Sequence, residues 1–137
     1  MGKSFMRDRE EYLVLFELAC ADLKLVESTL ENKDIREQLL LFHLQQAVEK
    51  FLKSLLSLQH IRFPKIHDIE EIIELCKEKG IILPEYIEEF INLTPYAAEF
   101  RYGFIIEESL DIYYYYQKVL ELKGCVEKIY EEKEGKG

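Results

Sequence analysis

The sequence predicts an all-α fold, an antiparallel up-and-down bundle of three long and two short helices, and three observations lead to it. Apolar residues recur at alternating spacings of three and four over three long stretches, which gathers them onto one side of a helix in each case. Breakers and capping residues separate the stretches by turns so short that consecutive helices must reverse and lie side by side. No segment alternates apolar and polar residues with the period of two that a half-buried strand requires.

The first helix is predicted from about Asp8 to Leu30, with Tyr12, Phe16, Ala19, Leu23, Val26 and Leu30 on one face. Residues 31–34 form a turn, and Asp34 followed by Glu37 has the capping-box spacing for a second helix from Ile35 to Leu58. That helix has the clearest periodicity, with Leu41, Leu44, Val48, Phe51, Leu55 and Leu58 as its core side. Opposite them His43, Gln46, Lys50 and Ser57 make a polar stripe, with Phe42 beside it, that is expected to face water, a partner or a site. Pro64 keeps the helix from continuing. Asp68 and Glu71 repeat the capping-box spacing and open a third helix, Ile69 to about Lys79, buried through Ile69, Ile72, Ile73 and Cys76 and closed by Gly80. Pro84 starts a short fourth helix to about Leu93, which Thr94–Pro95 stops. Residues Tyr96–Gly103 read as an irregular aromatic loop. The last helix is predicted from Glu107, with Glu107 and Glu108 at the positive end of its dipole, to about Glu132, and Ile112, Tyr115, Val119, Leu122, Val126 and Ile129 form its inner side. Tyr113–Tyr116 point all round this helix, which suggests burial on two sides, one in the bundle and one in a subunit contact. The tail 131–137 reads as solvated and frayed.

With 137 residues, 48% of them hydrophobic and 33% charged, the chain suits one domain over 1–137 with a real core. A net charge of −9 argues against binding nucleic acid by bulk electrostatics and leaves room only for a local basic patch. Cys20, Cys76 and Cys125 are odd in number and lack any paired spacing, so they read as buried thiols rather than a disulfide framework or a zinc site. No apolar stretch suits a signal peptide or a membrane span, so a soluble, cytoplasmic protein is expected. His43, His60, His67 and Asp68 lack the helical spacing of metal ligands, and no metal or other cofactor is expected.

Three pieces stand in order: Phe42-His-Leu-Gln-Gln-Ala-Val-Glu-Lys-Phe-Leu-Lys-Ser-Leu-Leu56, then His67-Asp68 opening a short helix, then Phe100-Arg-Tyr-Gly103 before the last helix. Together they resemble the HEPN family, the "higher eukaryotes and prokaryotes nucleotide-binding" domain, over most of the chain. The resemblance implies a helical bundle, a homodimer, and a minimal nucleotidyltransferase partner in a prokaryotic two-component module of the toxin–antitoxin kind. Some members of the family are metal-independent ribonucleases, whose Arg is followed a few residues later by a His. Here Arg101 is followed by Tyr-Gly-Phe-Ile-Ile-Glu-Glu-Ser, without the His. Arg36 and His43 have a similar spacing but lie on the second helix, and are read as a chance match.

Arg101 is the leading candidate for phosphate, since a guanidinium holds it bidentately while Tyr96, Phe100, Tyr102 or Phe104 stacks on a base; pairing with Glu99 or Glu107 is the structural alternative. His67 and Asp68 form an acid–base unit, or serve as loop anchor and N-cap. Gln46 and Lys50, one turn apart, line an anion groove if Arg101 folds over them, and are exposed surface otherwise. Residues 60–68 carry Arg62 and Lys65 against one acid and are a phosphate-contacting or simply solvated loop. Two other readings stand beside phosphate binding: a ribonuclease in which His67 replaces the absent His, and a structural dimeric module without ligand.

Overall fold

A computed structural model describes the protein over residues 2–63, 65, 67–102 and 110–136, with side chains 2–10, 99–102 and 135–136 outside that description. Among the described residues five α-helices and one 3-10 segment are formed: α1 (Gly2–Thr29), α2 (Glu37–Leu58), α3 (Ile69–Glu78), the 3-10 segment Glu85–Leu93, α4 (Thr94–Tyr102) and α5 (Ile112–Lys136). The all-α bundle with three long helices is as the periodicity predicts.

The centre is α2, against which α1, α3, α4, α5 and the 3-10 segment all pack. Every residue from Phe51 to Leu58 is buried. A helix that carries apolar residues on every side is driven to this position, because only there does each of them escape water. Its expected core residues are all buried, but so are Leu40, Ala47, Leu52 and Leu56 on its other sides. Contacts at both ends show that α1 runs against it: Ser57 Oγ donates to Glu11 Oε1 at 2.8 Å, and Lys50 Nζ meets Asp22 Oδ2 at 2.6 Å. Beside that seam, Tyr12 of α1 and Tyr130 of α5 stack edge to face with centroids 5.1 Å apart, and Phe16 touches both Phe51 of α2 and Tyr130.

Several boundaries differ from expectation, each for a local reason. Asp34 does not cap α2; its N–H donates to Asn32 Oδ1 at 2.9 Å inside the turn, and Arg36 takes the N-cap place with extended backbone. Asp68 does cap α3, accepting from the Glu70 N–H at 3.0 Å. The fourth helix is a 3-10 segment, with Pro84 as the residue before it. Thr94–Pro95 opens α4 instead of stopping a helix, because a proline in a first turn has no N–H to leave unpaired. Residues up to Tyr102 are therefore helical where a loop was expected.

The expected start of the last helix, Glu107 with Glu108, lies outside the described residues. Leu110 and Asp111 are not helical, and α5 begins at Ile112. Asp111 Oδ1 accepts from the Tyr113 and Tyr114 N–H groups at 3.1 and 3.3 Å, which is N-cap chemistry. At its far end α5 runs to Lys136, with 131–134 exposed; Lys133 Nζ donates to the Leu58 carbonyl at 3.0 Å and fastens the helix to the end of α2.

The C-termini of α2 and α3 close in the same way. His60 (φ 58°) and Gly80 (φ 79°) occupy the left-handed position, and the next residues, Ile61 and Ile81, donate back to Leu56 and Cys76 carbonyls at 2.9 and 3.0 Å. That closure turns the chain after α2 so that residues 60–63 fold back beside the helix.

Candidate functional site

Gln45, Glu49 and Lys53 stand one turn apart along α2 and are all buried. Buried polar groups persist only when partnered, and these are. Glu49 is the hub. Its Oε1 accepts from Gln45 Nε2 at 3.2 Å, and its Oε2 from Lys53 Nζ at 3.1 Å and His67 Nδ1 at 3.1 Å. Gln45 Nε2 also donates to the His67 carbonyl at 3.3 Å, and Gln46 Nε2 to Gln45 Oε1 at 2.7 Å. Lys53 further lies 5.7 Å from the centre of the Phe63 ring, a cation–π contact that shields its charge from the loop side.

The geometry assigns the tautomer of His67. A carboxylate only accepts, so the Nδ1 facing Glu49 carries the proton and Nε2 is the acceptor of the neutral ring. The Glu49 side chain is 5% exposed while that of His67 is 50% exposed. An imidazole is thus oriented by a buried carboxylate and presented at the surface, an arrangement suited to accepting a proton or binding an anion when protonated.

A second cluster uses the remaining charges of α2. Asp22 of α1 meets His43 Nδ1 at 3.0 Å and Lys50 Nζ at 2.6 Å, all three side chains being mostly buried. Of the polar stripe expected to face water, a partner or a site, His43, Lys50 and Ser57 therefore face α1, because the central helix is covered on that side too. Lys50 is balanced by Asp22, Ser57 is held by Glu11, and Gln46 is drawn into the Glu49 network.

Of the six candidate residues, His67 and Gln46 are brought together through Gln45 and Glu49, Lys50 goes to Asp22, and Asp68 caps α3. Arg101 and Tyr102 form the end of α4, and their side chains, like Phe104 and Glu107, lie outside the described residues. A cleft of about 310 Å³ opens at the end of α2, lined by Glu11, Ser57, His60, Ile61, Arg62 and Phe63. The loop bearing Arg62 and Lys65 is exposed at both residues.

Sequence reasoning missed Gln45, Glu49, Lys53 and Asp22. The first three share a spacing of four, which places them on one face of α2 beside the apolar one, and that spacing is the signal that could have joined them. Asp22 gave no signal.

Among the described residues no three His, Cys, Asp or Glu side chains converge as a metal ion would need. The three cysteines are free thiols, and burial pushes Cys76 up to about 12 while its Sγ donates to the Leu52 carbonyl at 3.9 Å. Among the described residues no helix is long and apolar enough to cross a membrane.

A family profile described as the HEPN domain matches residues 12–136, nearly the whole chain. No curated protein and no solved structure matches it.

Proposed function

The chain belongs to the HEPN family, and from that premise we propose that it binds nucleotide or RNA phosphate and acts with a minimal nucleotidyltransferase partner in a prokaryotic two-component, toxin–antitoxin-like module. The observation that supports this reading is the HEPN match over residues 12–136, which takes in Arg101 at the end of α4, ahead of the long last helix. A guanidinium offers a planar fork of donors to two phosphate oxygens and keeps its charge at any working pH. Tyr102 adjoins it in sequence as a stacking surface for a base. With a net charge of −9, attraction to a polyanion is local to such a residue, so affinity is expected to fall with salt as for one or two phosphate contacts. In the same reading the protein is cytoplasmic and works as a homodimer.

Calorimetric titration with ATP and with a short single-stranded RNA tests this. Saturable binding that weakens at least about tenfold in Arg101→Ala, the loss of a charge-assisted bidentate contact, is expected at unchanged helicity. No saturable binding by the wild type up to about millimolar ligand, an affinity of only about 4 kcal/mol, would overturn it and favour a structural module.

A second reading is favoured by the Glu49–His67 contact. In a metal-independent ribonuclease, His67 takes the proton of a 2′-hydroxyl, whose oxygen attacks the adjacent phosphorus and displaces the 5′-oxygen, which takes a proton from water to leave a 2′,3′-cyclic phosphate and a 5′-hydroxyl, while Arg101 stabilises the charge on the phosphate. RNA cleavage in EDTA by wild type, Arg101→Ala and His67→Ala decides it. Loss in either variant supports catalysis, whereas no cleavage, or equal cleavage by all three, removes it.

A further inference from the structure

The closures of α2 and α3 share a backbone but not a residue type. At the end of α3 the left-handed place is held by Gly80, which has no side chain to strain, whereas at the end of α2 it is held by His60 at φ 58°. A side chain is kept there in a conformation that glycine adopts more easily, and such strain is retained where the side chain has a task. His60 lines the cleft of about 310 Å³ at the end of α2.

That cleft carries both signs of charge. Glu11 of α1 lines it with its carboxylate held in place, since Oε1 accepts from the hydroxyl of buried Ser57 at 2.8 Å. Arg62 and His60 line it from the loop, and both are exposed. No ion pair joins Arg62 to Glu11, and among the described residues the guanidinium has no partner. The remaining lining is apolar: Ile61 and Phe63 are both half-buried, and the Lys53 ammonium, 5.7 Å from the ring centre, backs Phe63.

A ligand of one charge is attracted by one of these groups and repelled by the other, so a phosphate or a polyamine fits half the site. A zwitterion fits both. We propose that the cleft binds a free aromatic α-amino acid, with its ammonium on Glu11, its carboxylate on Arg62 beside His60, and its ring against Ile61 and Phe63. A guanidinium holds a carboxylate through two parallel N–H···O bonds, and the ammonium gives Glu11 a charge-assisted bond at Oε2, the oxygen that Ser57 does not use. Two aromatic rings meet favourably edge to face or offset. Ligand sites span roughly 300–1,000 Å³, and this cleft stands at the small end, which suits one amino acid better than a longer peptide.

The inference does not rest on phosphate binding. The cleft lies where Lys133 of α5 is fastened to the end of α2, whereas Arg101 precedes the start of α5. The two sites share no residue, so either reading can fail alone.

Calorimetric titration of the full chain with L-phenylalanine, N-acetyl-L-phenylalanine and L-phenylalaninamide tests it. L-phenylalanine is expected to saturate with a dissociation constant on the order of 0.1 mM. Each analogue keeps the ring and one charge, and should bind at least about tenfold more weakly for want of one charge-assisted contact. Arg62→Ala and Glu11→Gln should each weaken L-phenylalanine about tenfold at an unchanged far-ultraviolet spectrum. His60→Gly should weaken it about threefold while the thermal midpoint holds or rises, since the left-handed strain is relieved. No saturable binding of L-phenylalanine up to about 10 mM, or a Glu11→Gln variant as tight as wild type, overturns the proposal. So does an amide or an acetyl derivative as tight as the parent, which would make the ligand the N- or C-terminus of a peptide instead.

Discussion

Two charged clusters hang on α2, and they differ in what lies at their far ends. Asp22–His43–Lys50 joins two long helices, and each of its members belongs to regular structure. Gln45–Glu49–Lys53–His67 starts from the same helix but ends in the segment before α3, on a side chain half open to solvent. The first fixes the register of α1 on α2. The second holds one imaginable reactive group in place at the surface, and its carboxylate is buried more deeply than that of Asp22, at 5% against 13% exposure. Depth and loop position separate a cluster that orients helices from one that orients a side chain.

Breaking the deeper cluster should cost the most. Glu49→Ala leaves the Lys53 ammonium buried without its counter-charge, and a loss of about 3–5 kcal/mol is expected in urea unfolding. A loss below about 1 kcal/mol would mean that Lys53 finds water easily and that the two clusters do not differ. Asp22→Ala is expected to cost less, about 1–2 kcal/mol, because Lys50 and His43 lie near enough to the edge to turn outward. His67→Ala should lower stability by less than about 1 kcal/mol, given its exposure, yet couple to Glu49→Gln by about 0.5–1 kcal/mol in a double-mutant cycle. No coupling would mean that Glu49 does not hold the ring.

A neutral group beside α2 has no such effect near neutrality and acts only at alkaline pH. Cys76 has its thiol raised from 9.0 to about 12 by burial, so the folded state keeps a proton that the unfolded chain releases. The stability this contributes is complete below pH 9 and falls as pH rises toward about 12. Cys76→Ala should flatten the alkaline limb of a stability–pH curve.

The inner faces were legible because packing follows the helical period: Leu41, Leu44, Val48, Phe51, Leu55 and Leu58 are all buried, as are Ile69, Ile72, Ile73 and Cys76. Local chemistry was legible where a signal had one meaning, as with Asp68 and Gly80. It misled where it had two. Thr94–Pro95 fits both the end and the start of a helix, and Asp111, whose side chain accepts from the first N–H groups of α5, carries no acidic partner three residues on to mark it as a cap. Whether the polar stripe of α2 faces water, a partner or a site stays open in the sequence, because the period shows which face is apolar, not how many neighbours surround the helix. That His43 and Lys50 share Asp22 depends on contacts between residues more than twenty positions apart, which no local pattern encodes.

The most direct measurement is an amide chemical-shift titration of the isotope-labelled protein with ATP and with a short single-stranded RNA. Saturable shifts are expected at the end of α4 around Arg101 and in the segment from His67 into α3, both of which pack on α2, while Asp22, His43 and Lys50 stay still. Shifts confined to the Asp22 cluster, or none at any ligand concentration, would contradict phosphate binding at Arg101 and the division of labour between the two clusters.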